Sequence, residues 1–243
     1  GRQIGSYRVE SLLGAGGYSK VYYAVDDKLE REAAIKVLIP PEGEEEYSES
    51  VVKRFEREAR ILAGLKDPHS VQMYEYGHTD DGLLYMVFEF IEGDTLAQVR
   101  RKEGALAPLR VVKILEQVLL SLEEAHALGL VHRDIKPANI MVFEHIGRKD
   151  QVKLLDFGVG KIVEAEVTQQ DITAEGLLIG TPRYMAPEQW STEEEVSQQS
   201  DIYSLGLVTY ELLVGEKAIQ SGDTVAIMRA HIDEDPIELP EEV

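Results

Sequence analysis

Asp134, Lys136 and Asn139 stand at short spacing in a segment whose residue types point to chemistry rather than packing. They belong to His132-Arg133-Asp134-Ile135-Lys136-Pro137-Ala138-Asn139, where Pro137 blocks a continuing helix and so many polar groups would make a poor core. An aspartate so placed accepts or orients a hydroxyl proton, a lysine offsets phosphate charge, and an asparagine oxygen ligates a hard cation. Asp156-Phe157-Gly158 follows an apolar run at residues 152–155, which puts a carboxylate at the end of a buried strand, a suitable place for a divalent cation. Lys36 lies in Ala33-Ala34-Ile35-Lys36-Val37-Leu38, and an ammonium clamp there needs a countercharge. Glu58 supplies one from a predicted helix on which Phe55, Ala59 and Leu62 share its face. Gly14-Ala15-Gly16-Gly17-Tyr18-Ser19 lies between two predicted strands, where small residues let backbone N–H groups approach a polyphosphate. Each cluster alone also reads as a hairpin, a surface charge or a turn. The glycine segment is neither a Walker A loop, since no Gly-Lys-Ser/Thr follows, nor a dinucleotide fingerprint, since a strand comes next.

The elements that must position these groups fall into two parts. Residues 7–13, 20–25, 33–38, 71–76 and 84–90 read as strands, and residues 51–65 show helical spacing. Beyond Gly93 the character turns helical: Pro108 opens a stretch in which Val111, Leu115, Val118, Leu119 and Leu122 recur at helical spacing until Gly129. The expected division is a β-rich part at 1–91 and a helix-rich part at 92–243, joined near residues 89–93. Residues 162–179 are weakly periodic and read as a long loop.

Composition narrows the function classes. The formal net charge of −20 disfavours phosphate backbones and anionic lipid surfaces as partners, so no nucleic acid is expected. With no cysteine there are no disulfides, thiolate zinc sites or thiol nucleophiles, which fits a cytoplasmic setting. No apolar run is long enough to span a bilayer, and the first residues lack a secretory pattern.

In this order the four clusters resemble the signature of protein kinases, and from about residue 7 to near residue 235 the chain is similar to bacterial kinases of the eukaryotic Ser/Thr type. The resemblance implies an α+β, two-lobed protein-kinase-like fold, with a β-rich N-lobe and a mainly helical C-lobe. It implies ATP with Mg²⁺, or Mn²⁺ in its place, and transfer of the γ-phosphoryl group to serine or threonine of proteins. Lys36 would hold the α- and β-phosphates and pair with Glu58; Asp134 would act as base, and Lys136 would steady the γ-phosphate. Asn139 and Asp156 would hold the metal. Leu13, Gly14, Gly16, Val21, Ala34 and Met141 would surround the nucleotide, its polar edge meeting the backbone at Glu89 and Ile91 with Phe88 as gatekeeper. His132, Phe157, Leu62 and Met73 would form the stack of apolar contacts linking the lobes. Arg133 suggests control by autophosphorylation of the activation loop, with Thr173 the first candidate and Thr168 the second, while Thr181 would shape the acceptor site. Trans-autophosphorylation implies a kinase–kinase dimer, and a membrane anchor outside this chain would be typical of the family.

Three departures accompany the match. Ser19 replaces the third glycine, and Lys217-Ala218-Ile219 stands where the family often has Pro-Phe. The chain also stops at Val243, before two further helices and the arginine that usually partners Glu188. The expectation is therefore a truncated C-lobe and an unsatisfied Glu188. Two rival readings are a nucleotide-binding pseudokinase, disfavoured by intact Lys36, Asp134, Asn139 and Asp156, and a small-molecule phosphotransferase, disfavoured by Arg133 and Ala186-Pro187-Glu188.

Overall fold

The computed structural model describes residues 2–40, 47–158, 182–190, 195–232 and 237–240. They fall into two compact units, one built on Gly1–Lys66 and Val71–Ile91, the other on Asp67–Ser70, Glu92–Phe157 and Gly180–Val243. The activation-loop threonines Thr168, Thr173 and Thr181, and the 162–179 loop, lie outside the described residues.

The first unit holds a six-stranded antiparallel sheet. Its strands are β1 (Gln3–Ile4), β2 (Tyr7–Ala15), β3 (Ser19–Asp26), β4 (Arg31–Leu38), β5 (Met73–His78) and β6 (Leu84–Glu89), in the order β1-β2-β3-β4-β6-β5. Alternation along β4 separates its side chains: Ala33, Ile35 and Val37 join a core with Ile4, Tyr7, Ala24, Tyr85 and Val87, and Ala34, Lys36 and Leu38 take the opposite face. Helix α1 (Glu49–Leu62) starts where Ser48 Oγ accepts the Val51 N–H, and it buries Val51, Phe55, Ala59 and Leu62. It stops three residues short of the sequence expectation, where Gly64 N–H turns back to the Ile61 carbonyl. Strand β5 begins two residues later than its apolar pattern suggests, because Val71 and Gln72 precede the ladder with β6.

The second unit is helix-rich. It contains α2 (Leu96–Glu103), α3 (Pro108–Ala127), α4 (Gln198–Val214) and α5 (Thr224–Ile232). A three-stranded sheet of β7 (Asp94–Thr95), β8 (Ile140–His145) and β9 (Arg148–Leu154) runs in the order β7-β8-β9. Helix α3 opens on Pro108, which needs no donor partner at that position, and buries Val111, Ile114, Val118, Leu122 and Ala125. Helix α4 closes at Gly215, where φ is +80° and a Cβ would sit 2.8 Å from Ala105 N, so only glycine fits. The sequence shows only the apolar end of β9, at residues 152–155, as a strand; the mostly polar stretch from Glu144 to Gln151 masks the rest of the β8–β9 hairpin.

Candidate active site

The segment 132–139 leaves α3 and enters β8 through a turn that the chain does not favour by itself. Arg133 has φ of +64°, a left-handed conformation that costs energy for a residue carrying a Cβ and persists only when its surroundings impose it. Asp201, 1% exposed in the first turn of α4, does so. Its Oδ2 accepts the His132 N–H at 2.8 Å and its Oδ1 the Arg133 N–H at 2.8 Å, while His126 Nε2 on α3 lies 2.7 Å from Oδ2. Sequence pattern alone does not single out Asp201. The available signal was a lone acid at the start of an otherwise apolar helix, in which Glu211 is the only other charge. A buried carboxylate there must have donors waiting for it.

His132 is fully buried, and burial pushes its pKa below the usual value, so the ring is neutral. Its Nδ1 accepts the Asp134 N–H at 3.2 Å, which places the ring proton on Nε2, and Nε2 donates to the Leu155 carbonyl at 2.8 Å. The ring packs against Phe157 with centroids 4.9 Å apart. One histidine thereby sets the distance between the Asp134 loop and the Asp156 segment.

At Asp134, Lys136 Nζ lies 2.8 Å and Asn139 Nδ2 lies 2.9 Å from the same oxygen, Oδ2. Asn139 also donates to the Asp134 carbonyl at 2.8 Å, so its amide nitrogen serves Asp134 twice and its Oδ1 is the remaining polar atom. That atom suits a hard cation. Leu155 N–H donates to Asn139 O at 2.8 Å, and the next residue, Asp156, carries a carboxylate on a backbone with φ of +62°. The pair offers two oxygen ligands, one just before β8 and one just after β9. Two oxygen donors fall short of the ligand count of a hard cation, so this set fits one that takes its other ligands from phosphate and water.

Residues Pro182–Tyr184 and Pro187–Trp190 form two short 3₁₀ turns beside this loop. Gln189 Nε2 donates to the Arg133 carbonyl at 3.0 Å, which ties the segment to the strained turn. The Arg183 guanidinium donates to the Ile219 and Ser221 carbonyls. Tyr184 O–H donates to Glu211, and burial together with that carboxylate drives its pKa well above that of a free phenol. Glu211 also has Arg100 Nε at 2.7 Å, a close charge contact. Glu188, expected to lack its usual partner, is half-buried and accepts a hydrogen bond from Ser200 Oγ.

The phosphate- and purine-side candidates lie mostly in the first unit. Lys36, 6% exposed, is flanked on the sheet by Val21 and Met86, and Ala34 by Tyr23 and Phe88. Phe88 in turn faces Met73 on β5. Glu58 is half-buried on α1 beside Phe55 and Leu62. Leu13, Gly14 and Gly16 are exposed where β2 turns into β3, and Gly16 N–H closes the turn on the Ser19 carbonyl at 2.8 Å. A Cβ on Gly14 would meet nothing within 4 Å, so no contact with the described residues demands glycine there. The Glu89 N–H is taken by the Gln72 carbonyl at 2.9 Å, and Ile91 follows half-buried. Met141, 9% exposed, belongs to β8 in the second unit, opposite Thr95 and Lys153.

A family model for the protein kinase domain matches residues 7–241. The serine/threonine-protein kinase pkn3 of Myxococcus xanthus is 37% identical over 95% of this chain and 41% of its own length. Serine/threonine-protein kinase PknE of Mycobacterium tuberculosis is 40% identical over 96% of this chain and 39% of its own length. PknA of the same organism is 36% identical, over 97% of this chain and 53% of its own. The chain thus spans about two-fifths to one-half of these relatives. Among solved structures, the Mycobacterium tuberculosis PknI kinase domain superposes with a TM-score of 0.69 at 26% identity, covering 93% of this chain and 84% of that one.

Proposed function

The chain belongs to the protein kinase domain family and is an ATP-dependent phosphotransferase domain of the serine/threonine type, and on that premise we propose which residues carry the transfer. The observation that supports the reading most is the convergence of Lys136 Nζ and Asn139 Nδ2 on Asp134 Oδ2, on a loop held by a buried aspartate. Asp134 orients the acceptor hydroxyl and takes its proton as the oxygen bonds to the γ-phosphorus and the bond to the β-phosphate oxygen opens. Lys136 places its charge against the transferred group. Lys36 holds the α- and β-phosphates, its ammonium oriented by Glu58. A divalent cation, Mg²⁺ or Mn²⁺, neutralises phosphate charge when bound, and Asn139 and Asp156 would hold it. Leu13 and the Gly14 and Gly16 backbone cover the nucleotide. Val21, Ala34 and Met141 offer apolar surface to the purine, the backbone of Glu89 and Ile91 meets its polar edge, and Phe88 limits its depth. Most of the work is positioning and electrostatics, since phosphoryl transfer asks little covalent chemistry of the protein.

Regulation follows from Arg133, whose exposed side chain is suited to a phosphate on Thr173 or Thr168. Thr181 would shape the acceptor site, and two copies would phosphorylate each other. No helix among the described residues is long and apolar enough to cross a membrane, and the cytoplasm is the proposed location. The test is incubation with labelled ATP and Mg²⁺, with and without myelin basic protein, beside Asp134→Asn. Label should appear on the test protein and on Thr168 or Thr173, and vanish in the variant. A wild-type chain that binds ATP but labels nothing would refute the reading.

A further inference from the structure

His231, in the last turn of α5, is 5% exposed, and both its ring nitrogens are engaged. Nε2 lies 3.0 Å from the Pro182 carbonyl oxygen, and Nδ1 lies 2.9 Å from the Tyr203 hydroxyl on α4. A carbonyl only accepts, so Nε2 carries the proton; the neutral ring then leaves Nδ1 to accept from Tyr203 O–H. Each partner therefore fixes the tautomer the other requires. Burial, and the nearby Arg183 charge, hold the pKa of the ring below its usual value, in keeping with this neutral form. The Pro182 oxygen also accepts the Met185 N–H at 3.2 Å, the bond that closes the first 3₁₀ turn, so His231 shares the acceptor that defines that turn. At the other end of the same segment, the Trp190 ring lies 6.2 Å from the imidazole at 33°. Trp190 Nε1 is buried without a hydrogen-bond partner among the described residues, and this second contact is a ring-packing one.

We propose that His231 is a positioning residue for the protein substrate: by donating to Pro182 while packing on Trp190, it fixes both ends of the segment that receives the acceptor peptide. The inference rests on the kinase reading, because it assigns residues 182–190 to the acceptor side. Three features set His231 apart from a simple core residue. It donates to the carbonyl immediately after Thr181, its other nitrogen is occupied by a second helix, and an apolar side chain of equal volume would meet neither demand. Glutamine keeps a donor near the Nε2 position, whereas phenylalanine keeps the volume and loses both polar ties. Tyr203→Phe removes the hydroxyl that fixes the tautomer and leaves Pro182 untouched.

The test compares wild type, His231→Phe, His231→Gln and Tyr203→Phe as the full chain, using myelin basic protein and ATP. In His231→Phe the KM for the protein substrate should rise about tenfold, with the KM for ATP within twofold of wild type. His231→Gln should recover most of the loss, and Tyr203→Phe should show a smaller rise of the same kind. Hydrogen exchange of the peptide covering residues 182–190 should quicken in His231→Phe and return toward wild type in His231→Gln. An unchanged protein-substrate KM, or equal losses with ATP and with protein that Gln does not rescue, would overturn the proposal. The exchange measurement needs no catalysis: if wild type labels no protein, the kinase reading fails, and unchanged exchange at 182–190 in His231→Phe would separately defeat the anchoring claim.

Discussion

The 132–139 loop and the 13–19 turn both face the reaction in the proposed mechanism, yet they are built in opposite ways. The loop holds a left-handed Arg133 in place through Asp201, buries His132 completely and directs two donors at one oxygen of Asp134. The turn exposes Leu13, Gly14 and Gly16, and closes through Gly16 N–H to Ser19 O. Groups that must meet a reacting atom need fixed geometry, because small misplacements are costly to rate. A backbone that must admit and release a polyphosphate gains from small residues and little packing. Strain is stored where the surroundings can hold it, and freedom is kept where a ligand must pass.

Four measurements test that contrast. The largest effect is expected for Asp134→Asn, which should lower kcat about 10³-fold with the KM for ATP little changed. Next, Asp201→Ala should destabilise the chain by about 3 kcal/mol or more and reduce kcat with it, because it strands two backbone donors and the His126 ring; urea unfolding read beside turnover would show this. If Asp201→Ala instead left stability intact, the loop would not depend on that carboxylate. Gly14→Ala should do the converse: stability within about 0.5 kcal/mol of wild type, since the added Cβ meets nothing within 4 Å, but a KM for ATP raised severalfold. The smallest effect concerns pH. Buried, neutral His132 and His231 both have pKa values below the ordinary 6.5, so the unfolded chain takes up protons first as pH falls. Stability should therefore hold above about pH 6.5, decline below it and level off once the folded rings protonate. Urea midpoints at pH 7.5 and 5.5 would show the decline, and His231→Phe should flatten it.

Much of this was legible in the sequence because it rests on local pattern. A short run rich in β-branched residues at 33–38 placed Lys36 on a strand, helical spacing put Glu58 beside Phe55 and Leu62, and Pro137 marked the break ahead of β8. What stayed hidden depends on partners far apart in the chain. Asp201 serves backbone amides 68 and 69 residues away, and main-chain donors leave no residue type for a pattern to catch. The Gln189 contact with Arg133 spans 56 residues, and that of His231 with Pro182 spans 49. The hairpin turn at Ile146-Gly147 was obscured because Ile146, at φ of +50°, is a β-branched residue where turn residues are expected.

The Asp201 clamp also carries a consequence for how the protein comes into being. A ribosome that has just delivered Asp156 has already made Lys36, Asp134, Lys136 and Asn139, but not the carboxylate that bends the loop between them. At elongation rates of roughly 5–20 residues per second, several seconds pass before Asp201 is even polymerised, and more before α4 can form and dock. In the proposed mechanism, every group of the transfer is thus synthesised before the residue whose carboxylate holds their loop.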